Sequence, residues 1–273
     1  MGNGLLTVLL GLDFKTLIFT AALLTLMLSG LLAFARLHAD GIQGLGYWAM
    51  GNFAIGLGMM AILGQLENRP AYLIPGIALI ALGNGLYING IQAFFGNRSR
   101  HLLPVVLAAA IVAIDVFFVI HGRNVRLAIL GNSLIYLASN LGCAYLLLRN
   151  SRYIWRSPYG FTACLFLIMA LLMATRAIIV LTLDPALFAA IDKWPVNKLI
   201  FLWGGAFQLC IAFGFMLMLN YKMAEKLRSS AAHDWLTGAL NRRYLEDAAR
   251  RMVANCQRAN TELAVLLFAP GPF

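Results

Sequence analysis

Residues 159–183 read YGFTACLFLIMALLMATRAIIVLTL, an apolar run in which Arg176 is the single charge. About 20 apolar residues rising about 1.5 Å each cross the ~30 Å hydrocarbon core of a bilayer, so this run is long enough to span one as a helix. A membrane β-strand would be half as long and would alternate in polarity, and an open strand would leave its backbone groups unpaired in hydrocarbon. Six further runs of the same kind lie on either side of it, at 14–35, 46–66, 72–95, 102–120, 127–148 and 199–219. The pattern predicts an all-α integral membrane protein built as a seven-transmembrane-helix bundle over residues 1–219.

The composition leads to the same class. Of the 273 residues, 61% are hydrophobic and 12% charged, with a mean hydropathy of +0.79. Soluble domains carry about 45–50% apolar and about 25% charged residues, which excludes an ordinary globular enzyme or a disordered chain. Seven spans consume about 140 residues and leave no room for a large catalytic module. A formal charge of +10 would suggest nucleic acid for a soluble protein, but basic loops are what membrane topology requires, so the bilayer is the expected partner and nucleic acid is not. Cys143, Cys164, Cys210 and Cys256 have no ligand-like spacing, and three fall in apolar runs. They read as small buried hydrophobes, with neither a disulfide framework nor a metal site.

Loop charges set the expected orientation. One side gathers Arg36, Arg98, Arg100, Arg149, Arg152, Arg156, Lys222, Lys226 and Arg228; the other gathers Lys15, Arg69, Arg123, Arg126, Lys193 and Lys198. Nine against six makes the first side cytoplasmic, with the amino terminus outside and the carboxyl end inside an inner (cytoplasmic) membrane. Ala33-Phe34-Ala35 fits a signal-peptidase pattern, but residues 1–12 carry no basic n-region, so the first run is read as a retained span. The external loop 184–198 contains Asp184-Pro185 and is expected to form a short helix ending at Ile191.

Residues 220–232, NYKMAEKLRSSAA, lack Pro and Gly and are expected to carry the seventh helix onward as a linker. Met216, Asn220, Met223, Leu227 and Ser230 recur at spacings of 4, 3, 4 and 3, a pattern equally suited to a homodimer seam and to an amphipathic turn leaving the bilayer. Next comes Asp234-Trp235-Leu236-Thr237-Gly238-Ala239-Leu240-Asn241-Arg242-Arg243. Asp, Thr and Gly make a turn, Asn241 is a good N-cap, and Leu245, Ala249, Met252, Val253 and Cys256 share one face of the helix that follows. Residues 263–268, LAVLLF, read as a buried strand.

The string D-x-L-T-G-x-x-N-R-R, carried by Asp234, Leu236, Thr237, Gly238, Asn241, Arg242 and Arg243, resembles the opening motif of the GGDEF domain of diguanylate cyclases. It sits where such domains begin, after a helix leaving the membrane. The resemblance covers about the last 40 residues and implies that 233–273 is the truncated start of that α/β domain. A complete family member would use Mg and GTP. Here the segment where the family has its metal-binding D-x-D-x-F-K reads Ala269-Pro270-Gly271-Pro272-Phe273, and the GG(D/E)EF signature, guanine contacts and R-x-x-D site are not among these residues. Joining nucleotides needs carboxylates that hold metal against phosphate. No catalytic residue or cofactor is therefore assigned to this chain, and it is expected to lack cyclase activity and to end in an unfolded α/β remnant. Codons for Ala-Pro-Gly-Pro-Phe, read one nucleotide later, can encode Leu-Asp-His-Phe, which suggests a frameshift.

Inside the spans, Asp115 and Arg176 are candidates for a buried ion pair, since membrane charges are costly and usually partnered. Asn132, Tyr136, Asn140 and Cys143 form a polar stripe on the fifth span facing Asn84 and Asn89 of the third, either as interhelical glue or as a cavity lining. Gly51, Gly56, Gly58, Gly83, Gly85 and Gly90 point to close helix packing. His101 and His121 bracket the fourth span at opposite faces, and Lys198 lies at the edge of the seventh, so neither bis-histidine haem nor a retinal Schiff base is supported. The favoured expectation is a sensory region of a cyclic-di-GMP signalling protein that receives a small-molecule or membrane signal. The alternative is a small seven-helix transporter or receptor with a coincidental motif, although its halves show no repeat of the kind transporters carry.

Overall fold

The computed structural model describes residues 14–39, 41–65, 73–121, 124–150, 157–182, 195–232 and 242–266. Eight helices are found among them: α1 Phe14–His38, α2 Leu45–Gln65, α3 Leu73–Phe94, α4 Leu103–Asp115, α5 Val125–Asn150, α6 Pro158–Thr182, α7 Pro195–Ala232 and α8 Arg242–Ala259. A π-helical segment, Val116–His121, extends α4. Seven of the helices are long and apolar enough to cross a membrane, as the apolar runs require. Proline opens α6 and α7 and stands in the first turn of α4, where its missing N–H costs nothing. Gly96, at φ +75°, closes α3, with its amide donating to the Ala93 carbonyl and that of Asn97 to Gln92.

The chain forms two compact units, 1–219 and 220–273. In the first, α3 is central. It packs on α2, α4 and α5, and its Tyr87 meets Phe166 of α6 and Phe215 of α7. Glycines bring α2 and α3 together backbone to backbone: a Cβ on Gly83 would stand 2.7 Å from the Gly51 carbonyl oxygen, and one on Gly58 2.6 Å from that of Gly76. With lipid outside, such close approach replaces the hydrophobic effect as the source of helix association. Large apolar side chains face outward instead, among them Met27, Phe34, Phe117, Leu171 and Phe213.

Arg36, Tyr47, Phe94, His101, Tyr159 and Phe215 gather toward one end of this unit, here called the basic end. The opposite end is tied by Arg126, whose Nε donates to the Val180 carbonyl at 2.6 Å and whose Nη2 donates to that of Leu181 at 3.0 Å. A cation of α5 thus satisfies the open carbonyls that finish α6.

In the second unit, α7 continues through 220–232 and α8 follows at Arg242–Ala259. Asn260 ends α8 in the left-handed region at φ 50°, and the amide of Thr261 donates to the Cys256 carbonyl at 3.0 Å. Leu245, Met252 and Val253 on α8 are exposed. The strand expected at 263–268 is not formed over its described part: residues 263–266 are irregular, and Leu263, Val265 and Leu266 are exposed. A strand needs a neighbour to accept its ladder of hydrogen bonds, and no described segment supplies one. The expected helix ending at Ile191 lies outside the described residues, while α7 begins four residues before the apolar run that announced it, at Pro195.

Candidate functional site

Two polar centres are buried in the bundle. The one toward the basic end is enclosed by rings. Trp48 of α2 stacks on Phe215 of α7 with centroids 4.3 Å apart and planes 5° from parallel, and Trp48 also meets Phe94 at 5.1 Å. Trp48, Tyr87, Phe94, Phe166 and Phe215 are all fully buried. The indole lies over Gly90, because any Cβ there would collide with it. Gly44 makes the turn before α2 possible: its φ is +101°, and a Cβ would sit 2.5 Å from the Gly90 carbonyl oxygen. Within this wall the Gln208 amide donates to the Tyr87 hydroxyl and, at 3.3 Å, to Asn52 Oδ1. The Asn52 amide in turn donates to the Trp48 carbonyl at 2.9 Å. One amide of α7 is thereby bonded to α2 and α3 together.

The second centre lies toward the opposite end, where α3, α4, α5 and α6 meet. Asn132 Nδ2 donates to Asp115 Oδ1 at 2.8 Å. Tyr136, one helical turn further along α5, donates its hydroxyl to the Ile77 carbonyl of α3 at 2.9 Å and packs with Ala81 and Ile111. Asp115 and Asn132 are 2% and 5% exposed, yet Asp115 Oδ2 and Asn132 Oδ1 find no hydrogen-bond partner among the described residues. Immediately after Asp115 the helix changes from α to π geometry, a change often found at functional positions.

Asp115 and Arg176 do not form the expected ion pair among the described residues. The carboxylate bonds to Asn132, and Arg176 stands where Tyr136 is within electrostatic reach of both charges. The amide was the nearer competitor on the helix adjacent to α4. The polar stripe of α5 also divides. Asn140 bonds back to the Tyr136 carbonyl at 2.7 Å, and Asn84 to that of Ile80 at 3.1 Å, each within its own helix. Asn89 is 1% exposed and its amide has no partner among the described residues. Cys143 is buried and free.

Of the motif residues, Asp234, Leu236, Thr237, Gly238 and Asn241 lie outside the described residues. Arg242 and Arg243 open α8. No group of three or more His, Cys, Asp or Glu side chains gathers among the described residues. Sequence reasoning passed over Asn52, Tyr87 and Gln208. Gln208 is the one amide in the run 199–219, a signal the sequence did offer, whereas Asn52 and Tyr87 share their runs with other polar groups such as Gln65, Asn84 and Asn89 and become informative only when the helices are brought together. Comparison of the chain with protein-family models, curated proteins and solved structures finds no match.

Proposed function

We propose that the chain is the membrane-integral sensory and regulatory region of a cyclic-di-GMP signalling protein of the diguanylate cyclase type. The observation that carries this reading is the D-x-L-T-G-x-x-N-R-R string at 234–243, which follows a helix, Pro195–Ala232, that leaves the seventh span without a break. In this reading, 1–219 senses a small-molecule or membrane signal, 220–232 conveys it, and 233–273 corresponds to the opening of the GGDEF domain. The excess of basic residues on one side supports an inner-membrane topology with the amino terminus outside and the carboxyl end in the cytoplasm. The seam Met216, Asn220, Met223, Leu227 and Ser230 would pair two copies.

Gln208 and Phe215 support the coupling step, because the helix that leads to the linker is bonded and stacked into the bundle core by those two side chains. A shift of α2 or α3 would therefore act on α7 through discrete contacts. The test is to replace the residues from Asp234 onward with a complete GGDEF domain and measure cyclic-di-GMP in membranes. Gln208→Leu and Tyr87→Phe are expected to change the output at unchanged protein level. Output indifferent to both changes in a folded bundle, or uptake of a solute by proteoliposomes, would replace this reading with the transporter alternative.

A further inference from the structure

The second polar centre contains a mismatch that one hydrogen atom would remove. Asp115 and Asn132 are joined by a single bond, Nδ2 to Oδ1 at 2.8 Å. The two atoms left over, Asp115 Oδ2 and Asn132 Oδ1, are both acceptors when the carboxylate is ionised, and both are buried without a donor among the described residues. The neighbouring hydroxyls are already committed: Tyr136 donates to the Ile77 carbonyl and Ser133 to that of Ile129 at 2.7 Å. From α3 come the apolar Ile77, Ile80 and Ala81, and from α6 Met173 and Arg176. Tyr136 and, through Tyr136, Arg176 are the titratable and charged groups that adjoin this region from α5 and α6, and neither bonds to the pair among the described residues.

Leaving an ionised oxygen unpaired in a low-dielectric interior costs several kcal/mol, far more than leaving a neutral group unpaired. A carboxylic acid and a carboxamide are complementary in shape. When the acid is protonated on its free oxygen, its O–H donates to the amide carbonyl while the amide N–H donates to the other acid oxygen, closing a ring in which every polar atom is used. We propose that Asp115 with Asn132 is a proton-binding site inside the membrane, the proton resting on Asp115 Oδ2 and donated to Asn132 Oδ1. The proton is taken up from water and returned to it, so no other bond is made or broken. The π-helical segment beginning at Val116 is a second, independent irregularity at the same position, and such segments recur at functional sites. The site goes beyond the cyclic-di-GMP reading and does not depend on it.

The test uses the full chain in lipid nanodiscs. Asp115→Asn places an N–H where the acid O–H would be, so it should keep the ring, match the wild type's unfolding midpoint at acid pH, where Asp115 is protonated in the unfolded chain too, and exceed it at neutral pH, where the unfolded chain's Asp115 ionises. Raising the pH should lower the midpoint of the wild type and leave that of Asp115→Asn in place. Asn132→Leu should lower the midpoint at every pH. Infrared spectra of the wild type at neutral pH should contain the carbonyl stretch of a buried carboxylic acid, lost in Asp115→Asn. An Asp115→Asn chain that unfolds readily or fails to fold would overturn the proposal, because it would mean that the charge itself is needed. So would a carboxylate signal from Asp115 at neutral pH, or stabilisation by sodium that vanishes in Asp115→Asn, which would make the occupant a metal cation.

Discussion

Toward the basic end of the bundle, Gln208 supplies a donor to each of two acceptors inside a shell of five buried rings; toward the other end, Asp115 and Asn132 share one bond and keep one bare acceptor each. Both centres are deeply buried and both join neighbouring helices. They differ in what is left over. At the basic end the remainder among the described residues includes a neutral donor, the Trp48 indole Nε1, and a cluster of neutral groups keeps one arrangement at any pH. At the other end the remainder is two acceptors, one of them on an ionisable acid, and the cluster has two states separated by whatever supplies the missing donor. Burial alone would have ranked the two centres together.

Four substitutions test this contrast. Trp48→Ala should have the largest effect, about 3–5 kcal/mol of lost stability by equilibrium unfolding in bicelles, because it empties a site stacked on Phe215. The exposed Trp203 is the control, and an equal loss at both positions would deny the basic end its role as core. Gly90→Ala should cost about 1–3 kcal/mol by forcing the indole off α3, with the loss of Trp48 shielding visible in fluorescence quenching. Tyr87→Phe removes one interhelical bond, worth about 0.6–1.7 kcal/mol in membranes, and the same unfolding assay should find its cost independent of pH. Asp115→Asn should cost the least, less than about 1 kcal/mol at acid pH. A loss comparable to that of Trp48→Ala would erase the distinction between the centres.

Seven spans could be read from hydropathy because a bilayer imposes a minimum length on every helix that crosses it, and that length is written in consecutive residues. The contact of Gly51 with Gly83 was equally accessible, since such residues have little else to offer two facing helices, whereas Gly76, which meets Gly58, was passed over. Pairing was not accessible in the same way. Whether Asp115 finds Arg176 or Asn132 depends on how α4, α5 and α6 are turned about their own axes, and the π segment at Val116–His121 resets that rotation within α4. No hydrophobic period records such a reset. Over its described part, 263–266, the expected strand failed differently: the composition suits a strand, but a strand is a property of two segments, and composition describes only one.

The separation in sequence of the Gln208 contacts dictates an order of assembly. Gln208 lies 156 residues after Asn52 and 121 after Tyr87, whereas the facing glycines of α2 and α3 belong to consecutive helices. During synthesis the α2–α3 hairpin can close as soon as both helices are in the lipid, but Asn52 Oδ1 and the Tyr87 hydroxyl must wait for the Gln208 donor until almost the entire membrane region has been made. The last helix to insert is therefore the one that completes the core, so a bundle interrupted before α7 would expose a polar seam to lipid and be marked for removal by the machinery that surveys nascent membrane proteins.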